Sequence, residues 1–217
     1  MGLSLRTGEF GSYWGNDYNS SVAIGDEKRK VNATYIYKFL TFHGWSINAI
    51  CGMLGNMQAE STINPGRWQS DIVGGDASGH GYSLVQWTPY TKYTNWCSEN
   101  GFTDPSEMDT ALTRILYEVA NHIQWIGVGD YYGMDFKEFS QSTQSVSYLA
   151  KGFLLCYERP ADQSESVQNY RASLAEAWYE YLSGTEPEDP TPTPSTSKKK
   201  KGYNWVLFNP RKRKIYG

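Results

Sequence analysis

Apolar positions recur at helical spacing through most of the chain, and one such run ends on a glutamate. In the stretch from Ile47 to Glu60, Ile47, Ile50, Cys51 and Leu54, with Met53 and Met57, follow the 3.6-residue period. Ser46 stands at the N-cap position, and Ser-Thr-Ile-Asn-Pro-Gly after Glu60 stops the helix with a Pro-Gly turn. An earlier helix is predicted from about Asp26 to His43, with Val31, Tyr35, Ile36, Phe39 and Leu40 on one face and His43-Gly44 as its stop. After Pro89 the helical pattern returns at Tyr90–Asn100, Asp109–His122, Phe136–Gln141, Ser145–Glu158 and Glu165–Leu182. Its stripes are Leu112, Ile115, Leu116 and Val119; then Leu149, Phe153 and Cys156, stopped by Pro160; then Val167, Tyr170, Leu174, Trp178 and Tyr181. Residues 61–88, rich in Gly, Asp and Ser, read as loops with two or three short strands. Residues 1–25, rich in Gly, Ser, Asn and Tyr with little periodicity, read as an extended N-terminal arm. The pattern predicts an α+β fold: a mostly helical domain over residues 26–183, interrupted by one small hairpin region.

At Gly184 the pattern stops. Residues 184–202 form a Pro/Thr- and Lys-rich linker that cannot build a core, and residues 203–217 a basic, aromatic tail. Charge divides at the same place. The net charge of −3 is the sum of −8 over residues 1–183 (12 Lys+Arg, 20 Asp+Glu) and +5 over the remaining 34 (8 Lys+Arg, 3 acids). No internal repeat is present.

Composition is that of a globular protein, 39% hydrophobic and 15% aromatic. The 17 Tyr and 8 Trp suit sugar stacking and protein interfaces equally, so they do not choose between them. Cys51, Cys97 and Cys156 fall on apolar sides of helical patterns and read as small buried residues, not as disulfide partners or nucleophiles. The N-terminus has neither the basic start nor the apolar core of a signal peptide, and no run is long enough to span a membrane. The expectation is a protein made in the cytoplasm that stays soluble or is carried to its target.

The chemistry centres on Glu60. At the C-terminal end of a buried helix, the dipole and apolar neighbours both disfavour a carboxylate, which suits a general acid. Downstream, Gly81-Tyr82-Ser83-Leu84-Val85-Gln86-Trp87 is a glycine-started, aromatic-rich segment of the kind that lines a sugar cleft. Glycosidic cleavage also needs relief of the charge that develops on the sugar. Asp71 and Asp76 are candidates, and Asp71 is preferred because Asp76 lies in a glycine-heavy turn; a turn or capping role for Asp71 is the competing reading.

Three stretches in order carry a resemblance: Gly-Met-Leu-Gly-Asn-Met-Gln-Ala-Glu-Ser-Thr-Ile-Asn-Pro-Gly (52–66), Gly-Tyr-Ser-Leu-Val-Gln-Trp-Thr-Pro (81–89) and Tyr-Glu-Arg-Pro (157–160). Over roughly residues 28–183 the chain resembles the phage tail lysozyme family, the virion-associated peptidoglycan hydrolases of tail tips and knobs. The resemblance implies a lysozyme-like fold that cuts the β-1,4 link between N-acetylmuramic acid and N-acetylglucosamine. It gives Glu60 the general-acid role, and places Gln86 and Tyr82 along the cleft with Trp87 packing or stacking beside them. Tyr157 and Glu158 would face the same cleft; alternatively Glu158 pairs with Arg159 or Arg171 and holds the wall. Relatives in the wider superfamily often manage with one Glu, which either activates water or deprotonates the C6 hydroxyl to give an anhydro product.

Larger members carry a zinc peptidase after the linker. Here His43, His80 and His122 all precede it, with no metal-ligand spacing, so no metal or other cofactor is expected. The expected partners are bacterial peptidoglycan and other phage tail or knob proteins. For the tail, with Lys198–Lys201 and Arg211–Lys214 around Tyr203, Trp205, Leu207 and Phe208, an anionic cell-wall polymer or membrane surface and a virion protein compete; nucleic acid is not expected. The leading reading is a virion muramidase that opens the host wall as the genome enters. The rivals are an endolysin, a lytic transglycosylase and an inactive glycan-binding tail module.

Overall fold

A computed structural model describes residues 2–184, so the linker and basic tail lie outside the described residues. The elements run in the order β1 (Leu3–Gly8), β2 (Gly11–Asn16), α1 (Asp26–Phe42), α2 (Ile47–Ser61), α3 (Thr91–Glu99), α4 (Met108–Ala120), α5 (Phe136–Gln141), α6 (Val146–Phe153) and α7 (Glu165–Ser183). The fold is α+β and mostly helical, as the pattern predicts.

Helix α2 is the axis of the molecule. Ala49 through Met57 are all buried, and α6 and α7 pack along it and against each other. Two glycines make this possible. A Cβ on Gly52 would sit 3.0 Å from the backbone of Leu149 and Ala150, and one on Gly55 only 2.5 Å from the Arg171 carbonyl oxygen. Side chains there would push α6 and α7 away, because a packed interior has no slack to absorb a methyl group. Ser46 caps α2 as expected, its Oγ accepting the Ala49 N–H at 3.0 Å. Asn56, buried in the middle of the helix, donates to the Gly52 and Ala150 carbonyls, both at 3.0 Å, and so ties α2 to α6.

The small sheet is not where the sequence pattern put it. Residues 1–25, expected as an extended arm, contain the two-stranded antiparallel hairpin, paired from Leu3↔Asn16 to Gly8↔Gly11, with Gly11 at φ 121°. Only glycine takes that angle without strain. Residues 61–88, expected to supply strands, have none; they hold a 3₁₀ turn at Gln69–Asp71 and isolated bridges Trp68↔Tyr82 and Tyr82↔Trp87. The reason is local. Ser70, Asp71, Ser83 and Gln86 all have left-handed backbone, which breaks any ladder.

The hairpin packs against α1. Tyr13 packs edge-on to Tyr35 of α1 at 5.3 Å. Asn32 accepts from the Trp14 N–H at 2.7 Å and donates to the Trp14 carbonyl at 2.8 Å and the Ile63 carbonyl at 2.7 Å. Asn64 joins the same junction, accepting from the Asn16 N–H at 3.3 Å and donating to Val22 at 3.0 Å. The hairpin thereby fixes Ile63-Asn64-Pro65-Gly66, the turn directly after Glu60. A buried amide with every bond made specifies one arrangement of the three elements it joins.

Cys51, Cys97 and Cys156 are buried and unbridged. Burial pushes the Cys51 and Cys97 thiols up to about 12, which removes them as nucleophiles at neutral pH.

Candidate active site

One cleft of ≈ 320 Å³ opens at the end of α2, lined by Glu60, Arg67, Gln69, Ser70, Gln86, Thr88, Glu158, Arg159 and Pro160. All three sequence motifs reach it. Glu60 is half-buried on the last turn of α2. The chain leaves the helix through Thr62 (φ 56°) and Ile63 (φ 59°), and two β-branched residues in succession with left-handed backbone are costly. The Thr62 and Ile63 N–H groups close the helix end on the Gln58 and Met57 carbonyls, and Ser61 Oγ donates to the Leu84 carbonyl at 2.7 Å. That last bond fastens the 81–89 segment to the turn bearing Glu60.

Sequence reasoning placed Glu60 among apolar neighbours. The structure adds a cation: Arg171 of α7 donates Nη2–H to Glu60 Oε1 at 2.6 Å. The same guanidinium donates Nη1–H to the Asn56 carbonyl at 2.8 Å, and its side chain is 10% exposed. A short charge-assisted bond in such surroundings fixes the carboxylate in space. Arg171 can reach it only because Gly55 lets α7 come close.

Glu158 also lines the cleft. After Phe153 the helix widens into a π turn, Leu154–Glu158, which ends at Arg159 with φ 49°. A π turn rotates the side chains that follow it relative to a regular helix, and such turns recur at functional sites. Glu158 remains partly exposed at the cleft wall, but its Oε1 is enclosed and makes no hydrogen bond among the described residues. Burial, and then the negative charge of Glu60, hold its carboxyl well above the ordinary range, with Arg171 opposing. The alternative reading, a pairing of Glu158 with Arg159 or Arg171, has no hydrogen bond or ion pair among the described residues to carry it. Arg159 Nη1 donates to the Gln124 and Cys156 carbonyls at 2.5 and 2.6 Å, and Arg171 serves Asn56 and Glu60.

Of the other expected residues, Gln86 lines the cleft. Its Nε2 donates to the Arg67 and Ser83 carbonyls at 3.0 and 2.9 Å, which braces the wall. Tyr82 does not line the cleft. It is fully buried behind the wall, with ring centroids 4.6 Å from Trp68 and 5.2 Å from Tyr18. Trp87 packs: it stacks on Tyr93 at 4.4 Å and is 3% exposed. Tyr157 is likewise buried, its ring stacked on Phe153 at 4.4 Å, so it supports Glu158 from inside and does not face the cleft. Asp71 is absent from the cleft lining. It accepts from Arg67 Nε at 3.2 Å and from Ser21 Oγ at 2.8 Å, so it holds a neighbour of the cleft in place. Its turn supplies the reason: left-handed backbone at Ser70 and Asp71 directs the two residues differently, and Ser70, not Asp71, borders the cleft. Asp76 caps its own turn through Ser78.

Two important residues escaped the sequence reading. Arg67 lines the cleft, and its only sequence signal was the four-residue spacing to Asp71. Glu118 is wholly buried in α4, accepting from Arg114 Nε at 2.9 Å, Trp87 Nε1 at 2.9 Å and the Tyr157 hydroxyl at 2.5 Å. An acid beside the apolar stripe of Leu112, Ile115 and Val119, four residues after an arginine, was the available clue.

Taken together, the cleft lining offers two carboxyl groups, two arginines and a polar rim. That set can protonate a leaving oxygen and stabilise a cationic sugar. Among the described residues, no three His, Cys, Asp or Glu side chains cluster as a metal site would require, and no helix is long and apolar enough to cross a membrane.

The family model described as phage tail lysozyme matches residues 31–182. The chain is also 48% identical over 167 residues to Morphogenesis protein 1 of Bacillus phage B103. That match covers 77% of this chain and 43% of the relative, so the chain spans less than half of the relative's length. With three motifs converging on one cleft inside the matched region, the chain belongs to the phage tail lysozyme family.

Proposed function

We propose that this protein is a tail-associated muramidase, which hydrolyses the β-1,4 bond between N-acetylmuramic acid and N-acetylglucosamine and opens the host wall as the phage genome enters. The observation that carries the reading is the pair Glu60 and Glu158 in the lining of a single cleft, both within the residues that the family model matches. Such a pair meets the two requirements of glycosidic cleavage, a proton for the leaving oxygen and a negative charge beside the oxocarbenium-like sugar. The polar rim of Gln69, Ser70, Gln86 and Thr88 suits sugar hydroxyls. A virion role is supported by the name of the phage B103 relative, a morphogenesis protein. Peptidoglycan is then the substrate, and other tail proteins are the partners. The basic tail, outside the described residues, serves either a virion contact or an anionic wall polymer.

Digestion of purified Gram-positive peptidoglycan by wild type and Glu60→Gln, read by mass spectrometry, tests the activity. The expected products are reducing muramic ends that are absent from the variant digest. Anhydro-muramic ends would make the enzyme a lytic transglycosylase, and no release by the wild type would leave a glycan-binding module. Detection of the protein in purified virions separates the tail role from that of an endolysin.

A further inference from the structure

Three arginines stand in or beside the cleft, and two of them have their donors spent. Arg171 serves Asn56 and Glu60. Arg67 gives Nε and Nη2 to Asp71 and Nη1 to Thr62. Arg159, in the cleft lining, is different. Its Nη1 donates to the Gln124 and Cys156 carbonyls at 2.5 and 2.6 Å, while its Nε and Nη2 are neither enclosed nor hydrogen-bonded among the described residues. Neither acid of the cleft forms an ion pair with it among the described residues; Glu60 has Arg171 instead.

An arginine held through Nη1 alone keeps one whole edge of its planar fork free. On that edge Nε–H and Nη2–H run parallel, and the pair matches the two oxygens of a carboxylate. The side chain is already fixed. Its backbone is left-handed at φ 49°, and its two carbonyl anchors come from separate parts of the chain. The entropy of ordering a long side chain is therefore lost on folding and not on binding, which favours affinity for whatever meets the free edge. A tether between Gln124 and Cys156 needs only Nη1, so a structural role leaves the edge facing solvent unexplained.

We propose that Arg159 is a specificity-determining residue, whose Nε–Nη2 edge binds the carboxylate that the 3-O-lactyl substituent of a muramic acid unit brings into the cleft. This rests on the muramidase reading above and names the feature of the substrate that the site selects. The two sugars of the glycan differ in that substituent, which N-acetylglucosamine lacks. On a bare strand the lactyl carboxyl group is free. Where a stem peptide is attached, the lactyl carbonyl is an amide and the carboxylates belong to the peptide. Both sources offer the same planar anion. The neutral rim of Gln69, Ser70, Gln86 and Thr88 makes contacts that either sugar accepts, so a cation with unspent donors is what distinguishes them.

The test compares wild type, Arg159→Gln and Arg159→Lys, as full chains, on three preparations of soluble glycan strands. One carries stem peptides. One has been stripped of them, so that the lactyl carboxylate is free. One has been stripped and its lactyl carboxyl converted to the neutral methylamide. The quantity read is the ratio of kcat/KM on each charged strand to that on the neutral one. Taken within one protein, this ratio is independent of the fraction folded. For wild type it is expected to reach about 10–100 on a charged strand, the size of hydrogen bonds to a charged group. In Arg159→Gln it should fall to about one, and in Arg159→Lys, a point charge without the fork, it should lie between. A preference for the stripped, charged strands places the contact on the lactyl carboxylate, and one confined to stem-bearing strands places it on the peptide. Wild-type ratios near one on both charged strands would overturn the assignment, whether or not Arg159→Gln folds. So would a wild-type preference that Arg159→Gln retains. Either result leaves the muramidase reading standing, whereas a wild type that cleaves none of the strands would overturn that reading and this assignment with it.

Discussion

Trp87 and Tyr157 meet on one buried carboxylate. The Trp87 Nε1–H donates to Glu118 Oε1 at 2.9 Å and the Tyr157 hydroxyl to Glu118 Oε2 at 2.5 Å. Each of these residues is the chain neighbour of a cleft residue, Gln86 in one case and Glu158 in the other. Two segments that line the cleft are therefore tied together by a single buried acid on α4, itself paired with Arg114.

Removing that acid leaves a cation and two buried donors without an acceptor. Glu118→Ala is expected to cost about 3–5 kcal/mol of stability, the range for breaking a buried ion pair. Trp87→Phe, which removes only one donor, should cost about 1–3 kcal/mol. Urea unfolding followed by circular dichroism measures both. A change below about 0.5 kcal/mol for Glu118→Ala, the size of an ordinary surface substitution, would mean the network holds nothing together.

Gly55→Ala tests the close approach of α7. In an open helix this change stabilises by roughly 0.5–1 kcal/mol. Here the new methyl group would lie 2.5 Å from the Arg171 carbonyl oxygen and 2.8 Å from Ala175 Cβ. The expected result is a loss of about 1–3 kcal/mol from overpacking. Displacing Arg171 from Glu60 should also lower activity on the order of 10²-fold. Thermal unfolding and rates of glycan cleavage would be measured side by side; a more stable, fully active variant contradicts the packing described.

His43 predicts acid sensitivity. Burial lowers its imidazole from 6.5 to about 4. Between those values the unfolded chain binds a proton that the folded one does not, so stability falls as pH drops through the window and changes no further below it on this account. The contribution reaches at most about 3 kcal/mol, at 1.36 kcal/mol per unit. Denaturant midpoints of wild type and His43→Gln at pH 7 and pH 4 give the answer, since the variant should lose less between the two. Parallel losses would place the sensitivity in other groups.

Asp71→Asn separates a supporting carboxylate from a catalytic one. Asp71 is partly exposed and joined to Arg67, so the variant should stay within about fivefold of wild-type activity, the equivalent of 1 kcal/mol. A loss comparable to that of Glu60→Gln on the same peptidoglycan digest would return Asp71 to the catalytic centre.

What the sequence determined by itself was periodic or local. The apolar stripes placed the seven α-helices of the described residues to within a few residues, because burial of one helix face imposes a 3.6-residue repeat that any reader of the chain can find. The Ser46 cap, the stop after Glu60 and the position of Glu60 at a helix end follow from neighbours in the chain. The hairpin was harder to see, because its strands are short and rich in glycine and serine, and their burial comes from α1 and not from alternation. Only the tertiary structure decided what meets Glu60. The salt bridge to Arg171 depends on a glycine that lets two helices touch, and Glu158 reaches the cleft through a π turn that helical periodicity does not record. Tyr82, Trp87 and Tyr157 sit in motifs that reach the cleft, yet their rings are buried. Sequence can say which segments form a site, but the direction of each side chain depends on backbone angles and on packing against residues far away in the chain.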